Sequence, residues 1–151
     1  MTPPAESLPA ELLDLPSFLL LQVVRDARRI GIGVHGPTLR APHLTVLAGL
    51  TEFGPASQKE ISSRLRIDPS DLVSVLDDLQ ERGMINRVRD ETDRRRYVVT
   101  IRPPGRKALE VRLAQLRELN EALLAPLSAA ERSVLHELLA RVHTYHQANP
   151  T

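Results

Sequence analysis

Cysteine and tryptophan are absent from this 151-residue chain, which holds only two phenylalanines and two tyrosines. Without cysteine there can be no disulfide, no thiolate metal ligand and no cysteine redox switch. With so few aromatic rings, the core must be built from Leu, Val, Ile and Ala, and an apolar content of 42% is enough for one. A chain of this length and composition is predicted to form one domain, or one small recognition module on a helical frame.

Long apolar runs are missing as well. No stretch approaches the roughly 18 apolar residues that a membrane span needs, and the early run from Phe18 to Leu21 is interrupted by Gln22. The first basic residue is Arg25, so the charged start of a secretory signal peptide is lacking. We therefore expect a cytoplasmic protein that does not associate with membranes.

Sequence signals for catalysis or metal binding are weak or absent. The chain has no G-x-S-x-G elbow, no phosphate-binding glycine loop and no clustered pair of carboxylates, so we predict no catalytic residues and no cofactor. His136, His143 and His146 share a helical stretch without thiolates or a set of acidic neighbours, which is a weak zinc signal. Surface or interface positions are the expected role of these histidines, and no metal site is predicted.

The net charge of +1 hides an uneven distribution. Nine basic residues and three acidic ones lie between Arg82 and Lys107, so this segment carries +6 and the rest of the chain −5. A basic patch on a near-neutral body is typical of a surface that contacts a polyanion. A solvated charged face is the alternative interpretation.

The first half of the chain is predicted to be helical after a proline-rich start. Residues 1–16 carry four prolines and three acidic residues, which indicates an arm with one helical turn around Leu12. A helical period begins near Ser17 and should stop at the glycine-rich break over 31–37. A second helix is predicted over 42–53, because Gly54 and a proline follow it.

The middle of the chain has the pattern of two short helices joined by a tight turn. Ser57 and Glu60 form an S-x-x-E capping box that opens the first of these helices. Asp68 can cap the second, and Pro69 suits its first position because the missing N–H has no partner there. This helix should end at Gly83. Its apolar face comprises Leu72, Val75, Leu76 and Leu79. Together the two helices form a candidate helix-turn-helix.

A basic β-hairpin is predicted directly after this pair. Residues 84–89 and 97–101 have strand composition, and the polar residues 90–95 between them are too few for anything but a hairpin tip. A hairpin in this place is a wing. We therefore assign 37–103 to a winged helix-turn-helix region, in a chain that is mainly α-helical.

Two long helices close the chain. The first should run from about Pro104 to Pro126, and a second capping box at Ser128 and Glu131 should open the last. Their leucine-rich faces exceed what a small winged module needs for its own core. We therefore predict a helical dimerisation region over 17–36 and 104–147, and a homodimer.

In this order of elements the chain resembles the MarR family of bacterial transcription regulators. The resemblance covers about Ser17 to Tyr145 and is strongest from Ser57 to Gly105. Its motifs are Leu79-Gln80-Glu81-Arg82-Gly83-Met84-Ile85 at the end of the second short helix, Asp93-Arg94-Arg95 in the wing, and Pro103-Pro104-Gly105 at the next helix. The resemblance implies a DNA-binding regulator, mainly a repressor, that acts as a dimer on a pseudo-palindromic operator.

The chain departs from the family pattern in two places. The family's Leu-Thr before the long helix is Ile101-Arg102 here, which removes the usual hydroxyl cap. Acidic residues also lie on the predicted recognition helix, where phosphates would be near. Asp71 is favoured by the dipole of the first helical turn, and Asp77 and Asp78 are expected to face away from DNA.

The predicted contacts with double-stranded DNA come from three places. The N-terminal part of the second short helix should meet base edges in the major groove. Its candidate residues are Ser70, Asp71, Val73 and Ser74, although Ser70 serving only as a cap and Ser74 being merely exposed are open alternatives. Gln58 and Lys59, at a helix start, are predicted phosphate contacts.

The wing tip supplies the other candidates, Asp93, Arg94, Arg95 and Arg96. An arginine there can enter a narrow minor groove and sense its width, whereas the alternative is a solvated arginine-rich loop. The resemblance singles out Asp93 and Arg95, with the aspartate holding the arginine ready for insertion.

A small anionic or phenolic effector is implied by the resemblance alone. Its pocket would lie near the glycine-rich break, between the dimerisation frame and the DNA-binding region. Its expected polar contacts are Arg28, Arg40 and His43, and Leu44 and Leu47 would form apolar walls. The rival to this whole interpretation is a winged-helix module that binds proteins and has no role at DNA.

Overall fold

The structure is a computed structural model that describes residues 8–31 and 39–149. Within those residues it contains seven helices and three strands. In chain order these are α1 (Ala10–Leu13), α2 (Pro16–Ile30), α3 (Ala41–Phe53), β1 (Ala56–Ser57), α4 (Gln58–Leu65), α5 (Pro69–Glu81), β2 (Ile85–Arg89), β3 (Tyr97–Ile101), α6 (Pro103–Leu123) and α7 (Ala129–Ala148). The predicted fold class, mainly α-helical with a small wing, is confirmed.

The element boundaries agree with the sequence expectations in most places. The single turn around Leu12 forms α1, and α2 ends at Ile30, before the predicted break, most of which lies outside the described residues. One end differs: α6 stops at Leu123, ahead of Pro126, which had been predicted to end it. Pro103 and Pro104 begin α6, at positions where the N–H groups that prolines lack would have had no helical partner.

The three strands form one antiparallel sheet in the order β1-β3-β2. In the wing, Ile85 pairs with Ile101 at one end and Arg89 pairs with Tyr97 at the other. The two-residue strand β1 was not predicted, and it joins the other edge of β3 through Ser57 opposite Val98. Because β1 leads directly into α4, this ladder attaches the start of α4 to the wing.

The end of α5 shows why a glycine stands at position 83. Its φ of 69° is the left-handed conformation that side chains other than glycine rarely adopt. The Gly83 N–H donates to the Gln80 carbonyl, and the Met84 N–H donates to the Leu79 carbonyl, both at 2.9 Å. These two bonds form a Schellman motif that reverses the chain from α5 into β2.

The chain divides into two compact units, one comprising Met1–Val34 with Arg117–Thr151 and the other His35–Leu116. The boundary between them falls within α6. The second unit contains the apolar core, which α3, α4, α5 and the sheet enclose. Its most completely buried apolar side chains are Val46, Leu47, Leu72, Leu76, Leu79, Ile85 and Val99.

The first unit differs because none of its described residues is fully buried. Instead α2 and α7 expose many large apolar side chains. These include Leu19, Leu20, Leu21, Val23 and Val24 on α2, and Val134, Leu138, Leu139, Val142 and Tyr145 on α7. No helix in the described part of the chain is long and apolar enough to cross a membrane.

Candidate nucleic-acid interface

The first turn of α5 is organised by Asp68. Its Oδ1 accepts the Ser70 N–H at 2.8 Å and also the Ser70 hydroxyl. These hydrogen bonds from Ser70, the hydroxyl first and the backbone second, hold the pKa of the Asp68 carboxyl below its usual value. The hydroxyl of Ser70 therefore takes part in the cap, the role left open by the sequence as the alternative to a DNA contact.

The other candidate residues of α5 lie on its exposed face. Val73 exposes 42% of its surface, and Asp71 and Ser74 are exposed beside it. Asp71 and Ser74 also border an open groove of about 590 Å³, whose opposite wall includes Arg40 and Thr45 at the start of α3. The helix thus presents a short polar and apolar surface of the kind that reads base edges.

Asp77 and Asp78, in the second half of α5, are paired with side chains of the protein itself. Asp77 Oδ1 accepts from Arg87 Nη2 of β2 at 2.6 Å. Asp78 contacts His43 Nε2 of α3 at 2.7 Å and receives two contacts from Arg82, at 3.0 and 2.9 Å. Arg82, and after it His43, holds the pKa of the Asp78 carboxyl below its usual value. Both carboxylates are therefore compensated inside the fold.

The start of α4 carries the predicted capping box. Glu60 Oε2 accepts both the N–H and the hydroxyl of Ser57 at 2.7 Å, while the Glu60 N–H reaches Ser57 Oγ at 3.3 Å. Gln58 is half-buried and Lys59 is exposed, next to an open cleft that also borders Arg96 and Tyr97. The two predicted phosphate contacts and the tip-proximal end of the wing therefore face one cleft.

The wing tip is shaped by two aspartates that bind backbone. Asp90 Oδ1 accepts the N–H and the hydroxyl of Thr92, at 2.9 and 2.8 Å. Asp93 Oδ1 accepts the Arg95 N–H at 3.0 Å, and the Asp93 carbonyl accepts the Arg96 N–H at 2.9 Å. Asp93 thus fixes the turn through the backbone N–H of Arg95, and this contact is compatible with the positioning role that the resemblance implies.

The three consecutive arginines of the tip have different surroundings. Within the described part of the chain, the guanidinium groups of Arg94 and Arg95 are exposed and make no ion pair or hydrogen bond. Arg96 instead contacts Glu60 Oε2 at 3.1 Å and lies 4.0 Å from Asp90 Oδ2. Arg94 and Arg95 can therefore meet a phosphate backbone or minor groove without first breaking an internal pair.

The residues expected around an effector belong to both compact units and differ in their burial. His43 and Leu47 are fully buried in the core, because α3 turns them towards α5, and Leu44 is half-buried beside them. Arg40 is exposed at the start of α3, and Arg28 is exposed on α2 in the other compact unit. The structure thus places His43 and Leu47 in the core, with no surface left for a ligand.

A different groove, not identified from the sequence, lies along α6. It measures about 350 Å³ and is lined mainly by apolar side chains, among them Leu39, Met84 and Val111. Arg112 lines it too, and its buried Nε has no hydrogen-bond partner among the described residues. The amphipathic pattern of α6 is visible in the sequence. The other residues that line the groove, such as Leu39 and Met84, come from distant segments and are not predictable from that pattern.

Comparison with known proteins agrees with this geometry. The MarR family model matches residues 39–97, the part that holds α3 to the start of β3. A probable transcriptional regulator from Pseudomonas aeruginosa is 35% identical, and its crystal structure superposes with a TM-score of 0.74 over 87% of this chain and 98% of that one. The chain belongs to the MarR family of winged helix-turn-helix transcription regulators.

Two further proteins widen the comparison. A regulatory protein assigned to the hcr operon of Thauera aromatica is 37% identical over 95 residues, which span 62% of this chain and 57% of that protein. BpsR from Bordetella bronchiseptica, at 24% identity, shares the fold with a TM-score of 0.72 over 85% of this chain and 93% of its own. The predicted class, a DNA-binding transcription regulator, is confirmed, and the protein-binding alternative gains no support.

Proposed function

We propose that this chain is a cytoplasmic repressor that binds a pseudo-palindromic operator as a homodimer. The observation that carries the proposal is the wing tip, where Arg94 and Arg95 are exposed and have no partner among the described residues, while Asp77 and Asp78 of α5 are compensated internally. A guanidinium at such a tip suits the negative potential of a narrow minor groove. The exposed residues Asp71, Val73 and Ser74 of α5 would read the adjacent major groove.

The exposed apolar faces of α2 and α7 support dimerisation. A soluble protein rarely leaves so many large apolar side chains in water, and such surfaces mark interfaces. Two copies related by a twofold axis would place their recognition helices on half-sites about 10 bp apart. The operator should therefore be an inverted repeat.

A small anionic aromatic effector is the proposed signal. BpsR has its DNA binding regulated by 6-hydroxynicotinic acid, a compound of this class. In this chain the groove along α6 suits such a ligand, because its apolar walls fit a ring and Arg112 offers a buried donor without a partner. Binding there would shift the equilibrium between arrangements of the dimer that differ in DNA affinity.

The direct test is DNA binding measured against salt concentration. A duplex selected from random-sequence DNA by the protein is titrated by fluorescence anisotropy between low and physiological salt, beside a scrambled duplex of equal composition. The slope of log K against log salt should be steep, at about 0.9 per phosphate contacted. The proposed function would be refuted if the protein enriched no sequence from the random-sequence DNA, or if its affinity did not depend on salt concentration.

A further inference from the structure

Besides the β1–β3 ladder, the carboxylate of Glu60 connects the tip-proximal end of the wing to the start of α4. Its Oε2 binds Ser57 in the capping box and contacts Arg96 Nη2 at 3.1 Å. Arg96 belongs to the hairpin turn, where its carbonyl accepts the Asp90 N–H at 2.9 Å. An ion pair between residues 36 positions apart thus links the tip-proximal end of the wing to the start of α4.

Ser57 makes this link continuous with the sheet. It is the last residue of β1, where it lies opposite Val98 of β3, and it is also the N-cap of α4. Glu60 therefore holds the helix through Ser57 and the wing through Arg96 at the same time. The capping bonds from Ser57, and secondarily the charge of Arg96, keep the pKa of the Glu60 carboxyl below its usual value, so it is ionised at neutral pH.

The second capping box of the chain lacks this connection. Ser128 and Glu131 repeat the same bonds, with the Ser128 N–H donating to Glu131 Oε2 at 2.7 Å and the Glu131 N–H at 3.3 Å from Ser128 Oγ. In the described residues Glu131 forms no ion pair with an arginine, and the adjacent Arg132 pairs with Glu121 instead. A capping glutamate therefore needs no arginine partner, and the Glu60–Arg96 contact is an addition to the cap.

We propose that Glu60 and Arg96 are positioning residues that fix the angle of the wing on α4 and so present Arg95 to the minor groove of the operator. Arg96 then acts through Arg95 and does not itself contact DNA. The proposal rests on the proposed function, since it assigns a specificity role within the same interface. Held in one geometry, the wing discriminates between grooves of different width, whereas a loosened wing contacts any DNA.

The test uses Glu60→Gln, because glutamine keeps a capping box but removes the charge that holds Arg96. The full-length dimer is titrated with the selected duplex and with its scrambled counterpart, and the ratio of the two affinities is the readout. We expect this ratio to fall by about three- to tenfold, a modest coupling for residues in one network. Affinity for the scrambled duplex should stay equal or rise, since a negative charge near phosphate is gone.

Three controls separate positioning from other roles. Glu131→Gln should leave the ratio and the melting temperature unchanged. Arg96→Ala should reproduce the fall in the ratio with an unchanged salt slope. In an Arg95→Ala background, Glu60→Gln should lower the ratio no further, because the side chain that it positions is absent.

Two outcomes would overturn the inference while leaving the proposed function intact. If Arg96→Ala weakens binding to both duplexes and lowers the salt slope by about 0.9, Arg96 contacts a phosphate directly. If Glu60→Gln strengthens binding to both duplexes equally, Glu60 only repels DNA. A parent protein that does not distinguish the duplexes would instead refute the proposed function.

Discussion

The Nε2 atom of His43 lies 2.7 Å from the Oδ2 atom of Asp78, and the His43 side chain is completely buried. This contact joins α3 to the recognition helix. It also explains how a helix proposed to lie in the major groove tolerates Asp78, because His43 and Arg82 contact the carboxylate from two sides. The Nδ1 atom of His43 is buried without a hydrogen-bond partner among the described residues, so protonation there would create an unsatisfied donor.

We expect the stability of the protein to fall as the pH drops below about 6.5, the ordinary pKa of histidine. Burial lowers the pKa of His43 in the folded state, and Asp78 opposes this only in part, while Arg40 and Arg82 lower it further. The unfolded chain then binds a proton more readily than the folded one between the two pKa values. Below 6.5 the free energy of unfolding should fall by at most about 1.4 kcal/mol per pH unit.

Urea unfolding between pH 7.5 and 5.0 measures this dependence. The His43→Gln variant should be less stable than the parent protein at neutral pH. Its free energy of unfolding should decline less steeply between pH 6.5 and 5. The matched control is His136→Gln, on an exposed face of α7. If His43→Gln declines as steeply as the parent protein, the acid sensitivity lies elsewhere.

The second prediction concerns the dimer. Leu138 of α7 is 50% exposed in the single chain, between Val134 and Val142 on one apolar face. An aspartate at this position would place a charge in the proposed interface, where burying it without a partner is costly. Leu138→Asp should therefore sediment at 16.8 kDa, while the parent sediments at twice that mass.

The neighbouring exposed Glu137 gives the control, because Glu137→Gln removes a charge from α7 without adding one to its apolar face. This variant should remain dimeric. Far-ultraviolet circular dichroism should show that both variants are folded. A dimeric Leu138→Asp variant would mean that α7 does not supply the interface.

Much of the fold is predictable because its signals are local. The capping boxes at Ser57 and Ser128, the start of α5 at Pro69 and the reversal at Gly83 each depend on residues within a few positions. Periodicity also predicted the buried face of α5. Strand β1 escaped prediction because a two-residue strand has no period and exists only through its pairing with β3.

The candidate site is predictable in its residue types but not in their partners. The unusual acids of the recognition helix were visible in the sequence, yet nothing local links Asp77 to Arg87 or Asp78 to His43. The same limit applies to Arg96. In the sequence it cannot be distinguished from Arg94 and Arg95, and only the structure shows its contact with Glu60. Tertiary packing decides which of several similar arginines remains free.

The third prediction concerns Gly105, in the first turn of α6. A Cβ atom added there would collide with the Met84 carbonyl oxygen and press against Ile101. Because the Met84 carbonyl also accepts the Arg102 N–H at 2.9 Å, it cannot move without breaking the junction of the wing and α6. Gly105→Ala should lower the free energy of unfolding by about 1–3 kcal/mol, the usual cost of overpacking.

Gly31→Ala is the control, since among the described residues its added Cβ would meet only Leu119, at an ordinary 3.9 Å. Its φ of −77° also suits alanine. Thermal melts should show this variant within a degree or two of the parent, whereas Gly105→Ala should melt several degrees lower. Equal melting temperatures for the two variants would contradict the close packing of α6 on Met84.

The last prediction tests the residue on which the proposed function depends most, Arg95. Its guanidinium is exposed and has no partner in the described residues, so Arg95→Ala removes no internal contact and should leave the melting temperature unchanged. Specific DNA binding should nevertheless weaken by about 1–3 kcal/mol, the scale of one good groove or base contact. Fluorescence anisotropy with the selected duplex measures this loss.

Asp93→Ala should show a smaller loss in the same direction, because Asp93 shapes the turn through the Arg95 N–H. Arg117→Ala, an exposed arginine of α6 outside the winged region, is the matched control and should bind like the parent. If Arg95→Ala also binds like the parent while folded, the wing does not enter the groove, and recognition must depend on the exposed face of α5 alone.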